Sequence, residues 1–371
     1  MTWVARNIAS FGGSSDQITV YGESFGSVAV ETLLHSNLTP LFSRCILQSQ
    51  LLGTPYFTTP ESINTKSFAY ERTKKHLNVK TVKDLQNIPA QDLITALAAS
   101  DPRGGLGHVP MIDDILLSEN WQTHFNFTRG RGGSVMIGNT GFEGAVITAL
   151  LAAQPKPASP SSTSSLISLL HGSISADKTQ GLVDAYQIHD DPGHLNLYQV
   201  KQNILKLLQD LAFYRPPYSS ISALKAKTPP SKVYRYAFLK SNIFEGPFHN
   251  LSAHALDLAY IHGDSSLFTG TANESSELIF QDKIKEIWIN FADGDSIWDD
   301  DKWMVMGGKG APFGLLQRTE VQFENEMDRT SLAWPAVDAL SNSDKEAVTS
   351  ILMGHLVGLG GVDASHVNGG A

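Results

Sequence analysis

Apolar and polar positions change period along the chain, and the changes divide it into elements. From Trp3 to Phe11, Val4, Ile8 and Phe11 fall on one helical face, and Gly12-Gly13 stop the turn. Asp16 to Tyr21 alternates, with Ile18 and Val20 among β-branched and aromatic neighbours, which predicts a strand. Val28, Leu33 and Leu34, set among small residues, predict a buried helix directly after it. Leu41 to Gln50 predicts a turn and a second short buried strand. Two strands joined through a helix form the βαβ unit of a parallel sheet.

The later chain follows the same logic. Helical periodicity runs through Phe68–His76, Val82–Ile88 and Pro89–Ala98, the last with proline at its first position and Leu93, Ile94 and Leu97 on one face. Val135 to Gly138 predicts an apolar strand leading into a glycine loop that carries Glu143. Gln154 to Ser165, rich in Pro and Ser, predicts a surface linker. Val233 to Phe238 is a strand pattern whose following loop carries His249 and His254, and Ile284 to Phe291 is an amphipathic helix. No internal repeat is visible. The pattern predicts one α/β domain over 1–371, a mostly parallel central sheet flanked by helices, with a flexible Gly-rich tail at about 356–371.

Composition narrows the classes. Charged residues make up 18%, low for a disordered chain, and hydrophobic residues 42%, ordinary for a globular enzyme. The net charge of −9 comes without any Lys/Arg-rich run, which argues against a nucleic-acid partner. Cys45 is the only cysteine, so the sequence offers neither an intrachain disulfide nor a cysteine metal site. No apolar run approaches the roughly 20 residues of a membrane span. The first residues lack the basic start and apolar core of a signal peptide, so the sequence as written reads as cytoplasmic, with localisation otherwise unassigned. Sequons at Asn37, Asn126, Asn250 and Asn273 pull weakly the other way.

The candidate chemistry starts at Gly22-Glu23-Ser24-Phe25-Gly26, between the first strand and its helix. G-x-S-x-G in that context is the nucleophile-elbow pattern, a sharp turn that presents a serine hydroxyl above the sheet. A β-carbon two residues before or after the serine is expected to collide with the turn. The helix that follows aims its N-terminal amides at developing negative charge. A serine hydroxyl is a weak nucleophile near neutral pH and needs an imidazole to take its proton and a carboxylate to orient that imidazole. Glu143 and His254 stand after later strands, in the chain order Ser, acid, His. His249 is the alternative base, but it lacks the acidic-apolar-aromatic residues that follow His254. Glu23 is expected to point away from the hydroxyl, as a structural buried acid paired with an arginine. His254 and Asp257 are three residues apart, yet no further ligand cluster supports a metal, and Gly358-Leu359-Gly360-Gly361 follows no strand, so no cofactor site is predicted.

Eight ordered segments resemble the type-B carboxylesterase family, the cholinesterase-like α/β-hydrolases. They are Trp3-Val4 to Gly12-Gly13 (W-V-x-x-N-I-x-x-F-G-G), the elbow (G-E-S-A-G), Leu41-Phe42 to Gln48-Ser49 (L-F-x-x-A-I-x-Q-S-G) and Pro110 to Asp113 (P-V-x-D). The others are Ile137-Gly138 to Glu143-Gly144 (I-G-x-x-x-x-E-G), Asp210 with Phe213 and Pro216 (D-x-x-F-x-x-P), His254 to Tyr260 (H-x-x-E-L-x-Y) and Trp288 to Ala292 (W-x-N-F-A). The resemblance implies Ser24 as nucleophile, Glu143 as orienting acid, His254 as general base and then acid, and the Phe25 N–H as one oxyanion-hole donor. It implies hydrolysis of a small-molecule carboxylic ester through an acyl-serine intermediate, without a cofactor.

The departures carry expectations too. Family members have a long portion before W-V-x-x-N-I, with several strands and an H-G-G-G-type loop that supplies the other oxyanion donors. This sequence starts at that segment, so it resembles a family member truncated at its N-terminus. The elbow strand is then expected at a sheet edge open to self-association, and the oxyanion hole at reduced strength. A catalytically impaired binding module is the alternative reading. Phe25, where the family usually has Ala, places a ring at the elbow and is expected to reshape the acyl pocket.

Overall fold

The computed structural model describes residues 1–38, 41–50, 68–100, 110–119, 121, 124, 125, 127, 133–152, 163–189, 197–226, 230–327, 329 and 333–358. Among the described residues six strands run in the order β1 to β6: β1 (Thr19–Glu23), β2 (Arg44–Gln48), β3 (Ser134–Thr140), β4 (Lys232–Phe238), β5 (Trp303–Met306) and β6 (Leu315–Arg318). The first five are parallel and β6 closes one side antiparallel to β5. Because each strand pairs with the next, the ends of β1 to β4 lie side by side, and the loops that follow them converge on one edge of the sheet.

Side-chain alternation explains why both faces are covered. Cys45, Leu47, Val135, Ile137 and Val233 join Val30 and Leu34 of the helix Phe25–Leu34 in one core. Ile46, Met136, Tyr234, Tyr236 and Phe238 face the other way, into an aromatic core with Phe280, Ile284, Trp288 and Phe291 of the helix Glu274–Asp293. β2 is buried along its whole length because both faces of the sheet are covered: Cys45 and Leu47 enter one core and Ile46 the other, while Arg44 and Gln48 at its ends hydrogen-bond to Thr19 and Asp257. A third core gathers the helices Gly144–Ala152, Leu197–Gln209 and Asn342–Gly358 beyond the converging loops.

β1 is an edge strand, paired with β2 alone among the described residues, and Tyr21 at its middle is 53% exposed. The opening helix Thr2–Asn7 and the 3₁₀ turn Ile8–Phe11 stop at Gly12 (φ 84°) as the sequence predicts. They bury no residue fully, and Trp3 and Phe11 face outward.

Several boundaries differ from expectation. Pro89 lies just ahead of the helix Ala90–Ser100, and Ile94 is exposed; the helix buries Ala96 and Ser100 instead. Of the predicted linker, Thr163 to Ser165 open the helix Thr163–His171, and 154–162 lie outside the described residues. Of the predicted tail, Leu356 to Gly358 finish a helix and 359–371 lie outside the described residues.

Candidate active site

Ser24 stands between the end of β1 and the start of the helix Phe25–Leu34, with φ 55° and ψ −120°. A non-glycine residue in this region is strained by about 1–3 kcal/mol and persists only where its surroundings hold it. The holding contacts are visible. Ser24 N–H donates to the Gln48 carbonyl of β2 (2.9 Å), and the Ser24 carbonyl accepts from Val28 N–H (3.1 Å) to open the helix. A Cβ on Gly22 would lie 2.2 Å from the Gly26 carbonyl oxygen, so only glycine fits there. Gly26 departs from expectation: a Cβ there would meet nothing within 4 Å. Phe25 is the first residue of the helix, where an N–H has no acceptor one turn back, and its ring is 41% exposed.

The acid and the imidazole are brought together by backbone. The Phe142 N–H donates to the Ser252 carbonyl (2.7 Å) and the His254 N–H donates to the Phe142 carbonyl (3.1 Å), a one-rung parallel bridge between Phe142 and Ala253. That rung extends the β3–β4 pairing past the strand ends and sets Glu143 against His254. Glu143 Oε2 contacts His254 Nδ1. Its other oxygen accepts from Ser49 Oγ (2.8 Å) and Thr140 N–H (2.6 Å), and the side chain is fully buried. Ser49 has φ 48° and follows the end of β2 as Ser24 follows the end of β1, since Glu23 and Gln48 are register partners. That pairing is the signal that would have nominated Ser49.

The segment Asp210–Tyr214 braces this loop. Asn139 Nδ2 donates to the Phe213 carbonyl (3.1 Å), Gln209 Oε1 accepts from Gly144 N–H (3.0 Å), and the Tyr214 hydroxyl donates to the Thr140 carbonyl. The Phe213 ring meets the His254 ring edge-on at 5.6 Å. The segment is anchored by Asp210, which takes a two-pronged pair from Arg329 (2.8 and 3.0 Å) and the Tyr186 hydroxyl (2.7 Å). The D-x-x-F pattern therefore has a physical role that sequence reading left unassigned.

Nε2 of His254 departs from expectation. Its neighbour is Glu23 Oε1, 3.1 Å away, and no hydrogen bond joins it to Ser24 Oγ among the described residues. Glu23 is thus not an acid paired with arginine; at the last position of β1 its side chain turns over the sheet end toward the imidazole. A third carboxylate, Asp257, is fully buried behind them and accepts from Gln48 Nε2 (3.1 Å) and the Tyr236 hydroxyl (3.0 Å). Both bonds reach the same oxygen, Oδ2. His249 is exposed, with Nδ1 against the Phe244 carbonyl, and takes no part in the cluster.

Three carboxylates around one imidazole shift one another. Burial pushes the Glu23 carboxyl up to about 7; the His254 charge opposes this, and the charges of Asp257 and Glu143 add to it. Burial also raises Asp257 to about 6, against the hydrogen bonds from Gln48 and Tyr236. For His254 burial favours the neutral ring, but the charge and hydrogen bond of Glu143, then Glu23 and Asp257, outweigh it and raise the imidazole to about 9. An elbow serine and an acid-held imidazole, each following a strand of one sheet, are components that acyl-transfer sites use.

Comparison with known proteins decides the family. The model of the carboxylesterase family matches residues 1–335. The chain belongs to that family. It is 26% identical over 301 residues to para-nitrobenzyl esterase of Bacillus subtilis strain 168, covering 79% of this chain and 56% of that protein. To carboxylesterase 1C of Rattus norvegicus it is 24% identical over 319 residues, covering 79% of this chain and 53% of that one. A solved PNB esterase superposes with a TM-score of 0.62 at 19% identity over 89% of this chain and 66% of its own, a likeness that shows the α/β-hydrolase esterase fold. The chain spans little more than half the length of these two sequence relatives. No helix among the described residues is long and apolar enough to cross a membrane.

Proposed function

We propose that the chain is a carboxylic-ester hydrolase acting through an acyl-Ser24 intermediate. Ser24 Oγ attacks the ester carbonyl carbon while His254 Nε2 takes its proton. The Phe25 N–H donates to the oxyanion that forms, and Glu143 holds the Nδ1 proton and the ring's positive charge. On collapse the C–O bond breaks and the leaving alkoxide takes the proton from Nε2. Water then repeats the sequence at the acyl-serine, releasing the acid and restoring Ser24.

The observation that carries this reading is the strained serine directly after β1 together with a buried acid–imidazole pair on the loops that follow β3 and β4 of the same sheet. Family membership points the same way, and the printed name of the bacterial relative suggests a para-nitrobenzyl ester as a first substrate. The test is labelling with a fluorophosphonate, mapped by mass spectrometry. Label on Ser24, lost in Ser24→Ala and in His254→Ala, is the expected result. A protein with a native circular dichroism spectrum that takes no label at any pH would overturn the hydrolase reading and leave a binding role.

A further inference from the structure

We infer that Glu23 is a positioning residue that competes with Ser24 for Nε2 of His254 and so holds the site at rest, an inference that rests on the hydrolase reading above. An imidazole has two ring nitrogens. Glu143 takes Nδ1, so Nε2 can serve either Glu23 or the Ser24 hydroxyl, and the structure has it facing Glu23 at 3.1 Å. Glu23 and Ser24 are successive residues that meet at the strand end, the first with its carboxylate over the sheet and the second on a strained backbone. Glu23 Oε1 is buried and has no hydrogen-bond partner, so the ring opposite is what its charge has to pair with.

An imidazole between two carboxylates is favoured as the cation, and the cation has no lone pair with which to accept the serine proton. The charged and titratable groups facing the ring support this. Glu143 comes from the loop after β3, Glu23 from β1, and Asp257 from the helix Leu256–Ile261, with the neutral Tyr236 hydroxyl of β4 on Asp257. The Asp210–Tyr214 segment offers only the Phe213 ring. The raised positions of His254, about 9, and Glu23, about 7, agree: between them both groups are charged and paired. Free base at Nε2 then appears as pH rises through the His254 value.

The test is Glu23→Gln, which keeps the shape and removes the charge. Two readouts are followed against pH: the His254 Cε1–H proton resonance, assigned with His254→Ala, and the rate of fluorophosphonate labelling. A carboxylate at this distance raises a partner by about 1–3 pH units. Its removal should bring the His254 midpoint down by at least about one unit and speed labelling at pH 7 about tenfold. An unmoved midpoint would overturn the inference, as would labelling slowed equally at every pH. Absence of label in wild type and variant alike would overturn the hydrolase reading, while the resonance would still decide the Glu23 contact. Should Glu23→Gln fail to fold, Glu23→Asp withdraws the carboxylate by one methylene, and its midpoint must fall by a smaller amount for the inference to stand.

Discussion

Replacing Arg329 with Met tests how the acid loop is held. Arg329 and Asp210 are 6% and 0% exposed, and two guanidinium nitrogens meet the two carboxylate oxygens at 2.8 and 3.0 Å. Methionine fills much of the same volume with no charge, so the change removes the pairing together with one hydrogen bond, from Nη1 to the Met327 carbonyl (2.7 Å). It leaves the Asp210 carboxylate buried with only the Tyr186 hydroxyl, at 2.7 Å, to satisfy it. Removing one partner of a buried pair costs about 3–5 kcal/mol, because the other charge stays out of water uncompensated. The double change Asp210→Leu with Arg329→Met removes both charges. Its deficit should shrink to about 1–3 kcal/mol, the cost of one unpaired Tyr186 hydroxyl. Urea unfolding at pH 7 followed by far-UV circular dichroism measures both. Because Tyr214, Phe213 and Gln209 brace residues 139–144, the single variant should also lose labelling at Ser24 before it unfolds globally. A single variant within about 0.5 kcal/mol of wild type, as for an ordinary surface site, would refute the reasoning. So would a double variant no more stable than the single one.

The two elbow glycines should behave differently: Gly22→Ala sets a methyl 2.2 Å from the Gly26 carbonyl oxygen and should abolish labelling and lower the thermal midpoint, whereas Gly26→Ala meets open space. Equal losses in both would show that the clash is not what demands glycine. At the sheet edge, β1 carries no lysine, proline or bulge between Thr19 and Glu23, and the exposed Tyr21 adjoins a groove of about 360 Å³ lined by Trp288 and Ile289. Such an edge favours pairing with a second copy. Sedimentation velocity should show concentration-dependent association that Tyr21→Lys suppresses, and a monomer at every concentration would refute it.

The chain by itself determined the elements that local physics governs. Alternation at Ile18 and Val20, the apolar runs of β2 to β4, and the glycine at position 22 each follow from strand pleat, burial on two faces or a turn too tight for a Cβ. They were legible because each signal lies within a few residues. Ser24, Glu143 and His254 were legible as an ordered set for the same reason, since each follows its own strand.

Tertiary structure alone decided what those residues touch. Glu23 reads as a structural acid in sequence, and only the register of β1 against β2 and the rung between Phe142 and Ala253 show its carboxylate at Nε2. Asp257, three residues past His254, has no role assigned by sequence; in the fold Gln48 and Tyr236, 209 and 21 residues away, hydrogen-bond to it. Arg329 carries no local signal, although it lies 119 residues from the Asp210 it neutralises. Electrostatic pairing depends on distance in space and on the loss of water around the pair, and neither is written in the order of residues.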